Sequence, residues 1–124
     1  MDNCIFCKIA AKQIPAQVVF EDDDLLAFKD INPAAPVHLL VIPKQHIDTL
    51  SDTTDEHTVL LGKMLALAPK LAREHGVAVT QGADGKRGGG YKTLINSGPN
   101  GGQEVYHLHL HMYGGPRPWR GLGT

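Results

Sequence analysis

Residues 106–113 read Tyr106-His107-Leu108-His109-Leu110-His111-Met112-Tyr113, an alternation of imidazole and apolar side chains. In an extended strand successive side chains point to opposite faces, so His107, His109 and His111 share one face and Leu108, Leu110 and Met112 the other. One face packs and the other is free for chemistry. Alternate residues lie roughly 6.6 Å apart along a strand, so one anionic group can touch two neighbouring imidazoles but hardly three. The histidines therefore divide their labour. A single core histidine with a satisfied hydrogen bond is commonplace, but three on one face each demand a buried partner that an apolar residue would not need. Chemistry near neutral pH is the stronger reading, either by nucleophilic attack or by two or three of these rings holding a metal that activates water.

Working outward, Tyr91–Asn96 and Val105–Tyr113 read as strands joined by the glycine loop Gly98–Gly102. Val37–Ile42, β-branched and closed by Pro43, reads as a central strand. Gln17–Glu21 and Leu25–Asp30 flank the turn-prone run Asp22-Asp23-Asp24 and predict a hairpin. Two helices are expected. The short one covers Cys4–Lys12 and stops before Ile14-Pro15. The long one covers Asp55–His75, with Leu60, Leu61, Met64, Leu65, Ala68, Leu71 and Ala72 on one stripe. Thr53 and Glu56 have capping-box spacing, Gly76 marks the stop, and Pro69 should bend or break the ladder. The other glycine cluster, Gly82–Gly90, reads as a loop. The sum is α+β: a mostly antiparallel five-stranded sheet with one long and one short helix.

At 124 residues the chain is expected to be a single domain, 1–124, with an irregular tail over about 114–124. Apolar residues at 42% and charged residues at 20% are globular values. No apolar run approaches the roughly 18 residues of a membrane span. The opening residues lack a basic, apolar leader, so a cytoplasmic location is expected. A net charge of -1 argues against a nucleic-acid polymer as partner while leaving room for a local anion pocket. The two cysteines form Cys4-x-x-Cys7, which in a reducing compartment points to metal or redox chemistry before a structural disulfide.

The run His107-Leu108-His109-Leu110-His111-Met112-Tyr113 resembles the signature of the histidine triad (HIT) hydrolases, His-φ-His-φ-His-φ-φ with φ apolar. The resemblance extends over Ile5-Phe6-Cys7-Lys8-Ile9, Phe20-Glu21-Asp22, Ala27-Phe28-Lys29-Asp30-Ile31, His38 to Ile47 and Gly101-Gly102-Gln103. It is most similar to the purine nucleoside phosphoramidase branch. That implies a HIT fold, a homodimer with the sheet continued across the interface, and hydrolysis of AMP or GMP conjugates.

By this resemblance His109 is the nucleophile, forming a nucleotidyl-histidine that water resolves. A neutral imidazole suits the task, because a carbonyl on its other nitrogen can fix the tautomer. His111 and the flanking amides of Gly102 and Gln103 would hold the phosphate. His38 would orient the network, Asn96 would bond near the phosphate or leaving group, and Asp30 would accept from the ribose hydroxyls. Phe6, Ile9, Phe28 and Ile31 would wall the purine, although residue type alone assigns them to the core. Trp119 would reach toward the partner's site, with Arg117 and Arg120 adding positive potential or standing solvated. No cofactor is needed for the chemical step.

Cys4, Cys7, His46 and His107 match the Cys-Cys-His-His set of zinc-containing relatives, which implies a closed structural zinc with no open position for water. His57 and His75 match nothing in the family and are expected in solvent. One departure stands out: the branch usually has serine after Gly-Gly-Gln, where this chain has Glu104, whose carboxylate would repel phosphate and favour a cationic or amine leaving group, unless it points away or serves as a proton donor. Two alternatives to a phosphoramidase remain open, a dinucleoside polyphosphate hydrolase of the same fold and a nucleotide-binding regulatory module with little turnover.

Overall fold

The computed structural model describes residues 3–120. In Val37–Pro43 (β3), every residue from His38 onward is buried, as expected of a strand covered on both faces. Its neighbours are Leu25–Lys29 (β2) and Leu110–Gly114 (β7), both antiparallel to it. Val18–Glu21 (β1) flanks β2 and Tyr91–Leu94 (β6) flanks β7, giving the order β1-β2-β3-β7-β6. The expected five-stranded antiparallel sheet is present.

Alternation assigns the two faces. Leu25, Ala27, Leu39, Val41, Leu108, Leu110 and Met112 turn one way, onto Met64, Leu67, Ala68, Leu71 and Ala72 of the long helix Thr58–Glu74 (α2). Leu26, Phe28, Leu40 and Ile42 turn the other way, onto Phe6 and Ile9 of the short helix Ile5–Ala10 (α1). Pairing His38 with Tyr113 and Leu40 with His111 sets His38 diagonally beside His111 on this second face. The strand period thus carries histidines from two strands to the side covered by α1.

Several local expectations are corrected. β7 begins only at Leu110, because Leu108 N–H pairs outside the sheet, with the Ile47 carbonyl at 2.6 Å. The apolar side chains of 108, 110 and 112 still enter one core, so the alternation survives without regular strand geometry. The first turn of the long helix is 3₁₀ over Asp55–His57. Its cap is Thr54, not Thr53: the hydroxyl accepts from Glu56 N–H, and His57 Nδ1 accepts from Thr54 N–H at 3.0 Å. His57 is therefore a capping residue. His75 Nδ1 lies 2.9 Å from the Leu71 carbonyl at the other end of the helix, so neither ring is merely solvated. Pro69 lies within α2 without interrupting it. The Gly82–Gly90 segment is not all loop, since Val79–Gln81 (β4) and Arg87–Gly89 (β5) pair as a separate hairpin.

Candidate active site and metal centre

The N-terminus of α1 begins the site. Cys4 is the N-cap, its sulfur accepting from Cys7 N–H at 3.3 Å, and one helical turn sets the two sulfurs side by side. His46, just beyond β3, and His107 complete a cluster whose four donor atoms lie within 4.8 Å of one another and could hold a metal ion. His107 Nδ1 is 3.3 Å from Cys4 Sγ and 3.5 Å from Cys7 Sγ. His46 Nδ1 is 3.2 Å from both Cys7 Sγ and His107 Nδ1.

Tautomers make this cluster telling. His107 Nε2–H donates to the Pro43 carbonyl at 2.8 Å, and His46 Nε2–H donates to Asp48 Oδ1 at 2.5 Å. Each neutral ring therefore turns a bare Nδ1 lone pair toward the other. Two lone pairs at that separation repel, and a shared cation removes the conflict. Burial, then hydrogen bonding and charge from Cys4, push the Cys7 thiol up to about 11, a cost that a bound cation would reverse.

His109 lies next along the chain and is 6% exposed. Its Nδ1–H donates to the His107 carbonyl at 2.7 Å, which leaves the lone pair on Nε2. Burial lowers its pKa, opposed by that carbonyl bond and the Asp30 charge, so the ring favours the neutral form. The Phe6 ring meets it edge-on at 5.1 Å. The His109 and His111 ring centres are 4.8 Å apart, closer than the backbone repeat, so two imidazoles can serve one phosphate.

His38 and His111 form a second tautomer chain. Ala34 N–H donates to His38 Nδ1 at 3.1 Å, so the proton of a neutral His38 is on Nε2. That N–H donates to His111 Nδ1 at 3.0 Å, with Asp30 Oδ2 beside it at 3.5 Å. His111 must then carry its own proton on Nε2. Asp30, His38 and His111 also bring three ligand atoms within 4.8 Å, but the His38 Nε2 proton occupies the position a metal would need. Burial lowers His111 to about 4, aided by His109 and His38 and opposed by Asp30.

A cleft of about 380 Å³ is lined by Phe6, Ile9, Phe28, Asp30, Ile31 and Glu104 among others; no histidine among the described residues lines it, and it adjoins the rings through Phe6, against His109, and Asp30, beside His38. All four expected apolar wall residues are there. Phe6, Ile9 and Phe28 are buried, while Ile31 is 97% exposed at the mouth, where an apolar side chain gains nothing without something to cover. Asp30 Oδ1 accepts from Asn32 N–H at 2.8 Å, which orients the carboxylate.

The glycine loop departs from expectation. Gly102 N–H donates to the Pro99 carbonyl and Gln103 N–H to the Gly98 carbonyl, so the two amides assigned to phosphate are already committed within the turn. The Gln103 side chain is structural too: Oε1 accepts from Gly98 N–H, and Nε2 donates to the Asp48 and Val105 carbonyls. Asn96 Nδ2 donates to the Gly101 carbonyl at 2.6 Å and so braces the same loop. Gly101 is required there, since a Cβ would stand 2.4 Å from the Ser97 carbonyl oxygen. Trp119 lies against Tyr113 of its own chain, with ring centres 6.1 Å apart.

Sequence reasoning missed Tyr113, whose ring is parallel to His111 and 4.3 Å from His38. Continuing the alternation from 111 to 113 would have found it. It also missed Asp48, two residues after His46.

The family described as "Scavenger mRNA decapping enzyme C-term binding" matches residues 3–123. Protein HitA of Neisseria gonorrhoeae is 56% identical over 94% of this chain and 99% of its own length. The purine nucleoside phosphoramidase of Escherichia coli K12 is 41% identical over 92% of this chain and 88% of its own. Among solved structures, a HIT family hydrolase from Legionella pneumophila Philadelphia 1 superposes with a TM-score of 0.82 at 50% identity, covering 93% of this chain and 95% of that one. A histidine triad protein from Clostridium difficile gives 0.82 at 41% identity, covering 95% of each. Likeness of this extent settles the family: the chain belongs to the histidine triad (HIT) family. No helix among the described residues is long and apolar enough to cross a membrane.

Proposed function

We propose that this chain hydrolyses nucleoside 5′-phosphoramidates and related AMP or GMP conjugates through a covalent intermediate on His109. The observation that carries the reading is the 2.7 Å bond from His109 Nδ1–H to the His107 carbonyl, which reserves the Nε2 lone pair for attack. As the Nε2–P bond forms, the bond from phosphorus to the amine breaks and the amine leaves with a proton taken from solvent water, which the proton lost by the attacking water in the second step restores. Water then cleaves the Nε2–P bond and releases the nucleoside monophosphate.

His111, with its proton on Nε2 through the bond from His38, donates to a phosphate oxygen as negative charge builds there. Asp30 accepts from the ribose hydroxyls. Phe6, Ile9, Phe28 and Ile31 cover the purine, which apolar faces hold with little choice between adenine and guanine. Asn96, Gly102 and Gln103 contribute by shaping the loop beside the phosphate.

The ion of the Cys4, Cys7, His46 and His107 cluster is zinc in this reading. Tetrahedral zinc with ordinary bond lengths separates two nitrogens by ~3.3 Å and a nitrogen from a sulfur by ~3.6 Å. The cluster's 3.2 Å nitrogen separation and its 3.2 to 3.5 Å nitrogen–sulfur separations fit those edges. Cys4, Cys7, His46 and His107 would fill all four positions of a zinc ion, which would then activate no water and would tie α1 to the segment that presents His109. A homodimer with the sheet continued across β6 belongs to the same reading. It is supported by the place of β6 at the sheet edge and by exposed Val59 and Leu65 on α2.

Incubation with an adenosine phosphoramidate, followed by chromatography of the nucleotide, tests the reading. AMP release is expected. Release from a dinucleoside polyphosphate alone would transfer the assignment to that class, and binding of AMP without release from either substrate would leave a nucleotide-binding module.

A further inference from the structure

Beyond β7 the chain turns back against the site. Gly115 makes this possible with φ 103, and a Cβ there would meet Pro36 at 2.8 Å. Trp119 then lies on Tyr113, its Nε1–H donating to the Gly115 carbonyl at 3.0 Å, while the Arg117 guanidinium sits 5.0 Å over the indole. The next residue, Arg120, attaches to a different part of the molecule. Its backbone N–H donates to the Ala34 carbonyl at 2.8 Å. Its guanidinium donates to Asn32 Oδ1 at 2.8 Å and to the Pro33 carbonyl at 2.9 Å.

Both anchors adjoin the same pair of rings. Tyr113 is buried, parallel to His111 within 3° at 5.5 Å, and 4.3 Å from His38. On the other side, the Asn32–Ala34 turn supplies the N–H that fixes His38 Nδ1 and the N–H that orients Asp30. This turn has no ladder of its own and leads directly into β3, so its placement depends on bonds from outside.

We propose that residues 116–120 form a clasp in which Trp119 and Arg120 are positioning residues for the His38–His111 pair, one bearing on Tyr113 and the other on the Asn32–Ala34 turn. Arginine suits the second role because the two hydrogens of its terminal Nη2, fixed in the guanidinium plane, reach a side-chain amide oxygen and a backbone carbonyl together. Catalytic groups must be held to within about half an ångström, and a turn free to drift would loosen the Ala34 bond and blur the tautomer of His38. The groups facing His111 are His38 from β3, Asp30 at the end of β2, and His109 and Tyr113 from its own segment. Release of the clasp exposes that set to water.

The turnover measurement rests on the hydrolase reading above, so a second readout is independent of it. Arg120→Ala, at an exposed position, should lower kcat on an adenosine phosphoramidate roughly five- to tenfold. In NMR titration of the metal-loaded protein, His111 should move up by roughly half a pH unit as water enters. Trp119→Leu should do the same from the other side, and Arg120→Lys should recover part of both effects. Unchanged kcat and unchanged His111 titration in both Arg120→Ala and Trp119→Leu would overturn the clasp. If the parent protein releases no AMP, the hydrolase reading fails alone, and the titration still decides the clasp.

Discussion

His38 Nε2 lies 3.0 Å from His111 Nδ1, and because Ala34 N–H is bonded to His38 Nδ1, that contact assigns a proton to each ring. The outward nitrogen of His111 is thereby a donor when the ring is neutral. The pair is set to work without a net charge.

The pair should show in stability. Burial holds His111 at about 4 and lowers His38 against the pull of Asp30, whereas both rings in an unfolded chain sit near the ordinary 6.5. Between these values the unfolded chain binds more protons, so stability is complete above about pH 6.5 and falls as pH drops toward 4. The slope is at most ~1.4 kcal/mol per pH unit for each ring. Urea melts from pH 7 to 4.5 should show this fall, and His111→Gln should flatten it. A variant slope equal to the parent's would refute the burial argument.

Removal of the nucleophile should separate binding from turnover. His109→Ala should cut AMP release on the order of a thousandfold or more while AMP affinity by calorimetry changes little. Rapid-quench mass spectrometry of the parent should find the nucleotidyl adduct on His109. Substantial turnover by the variant would move the attack to another residue.

Metal should travel with the fold. One equivalent per chain is expected by elemental analysis, and Cys7→Ser should lose most of it with a fall in Tm on the order of 10 °C. A chelator should act slowly, as the site opens, and should not abolish turnover on mixing. Instant loss with the fold intact would mean that the metal takes part in the reaction.

Glu104 lines the cleft beside the site and is exposed. Its charge should favour substrates whose leaving amine carries a second, cationic group. Glu104→Gln should reduce the preference for a cationic over a neutral amine by up to roughly fivefold in kcat/KM, an effect that added salt should mask. A salt-independent preference that survives substitution would place its origin elsewhere.

Local periodicity made much of this molecule legible. The five sheet strands, both helices and the shared face of His107, His109 and His111 follow from spacings of two and of three to four residues. Short-range competition obscured other features. Thr53 and Thr54 both offer a cap, and only the 3₁₀ turn at Asp55–His57 chose between them. The glycines of residues 82–90 suggested a loop, yet Arg87–Gly89 pairs with the preceding Val79–Gln81 as a hairpin.

The alternation of residues 107–112 and the Cys4-x-x-Cys7 spacing were enough to place the chemistry on one face and the two cysteine sulfurs near one another, because both depend only on backbone geometry within a segment. Which nitrogen of each ring carries its proton was decided by partners that only the folded chain brings into bonding geometry: Pro43 for His107 and His111 for His38 across the sequence, and Asp48 for His46 and Ala34 for His38 a few residues away. The same holds for the Gly102 and Gln103 amides, committed within their own turn, and for Arg120, fastened to Asn32 and Pro33. A hydrogen bond needs donor and acceptor within about 3 Å, and only the packed chain sets that distance.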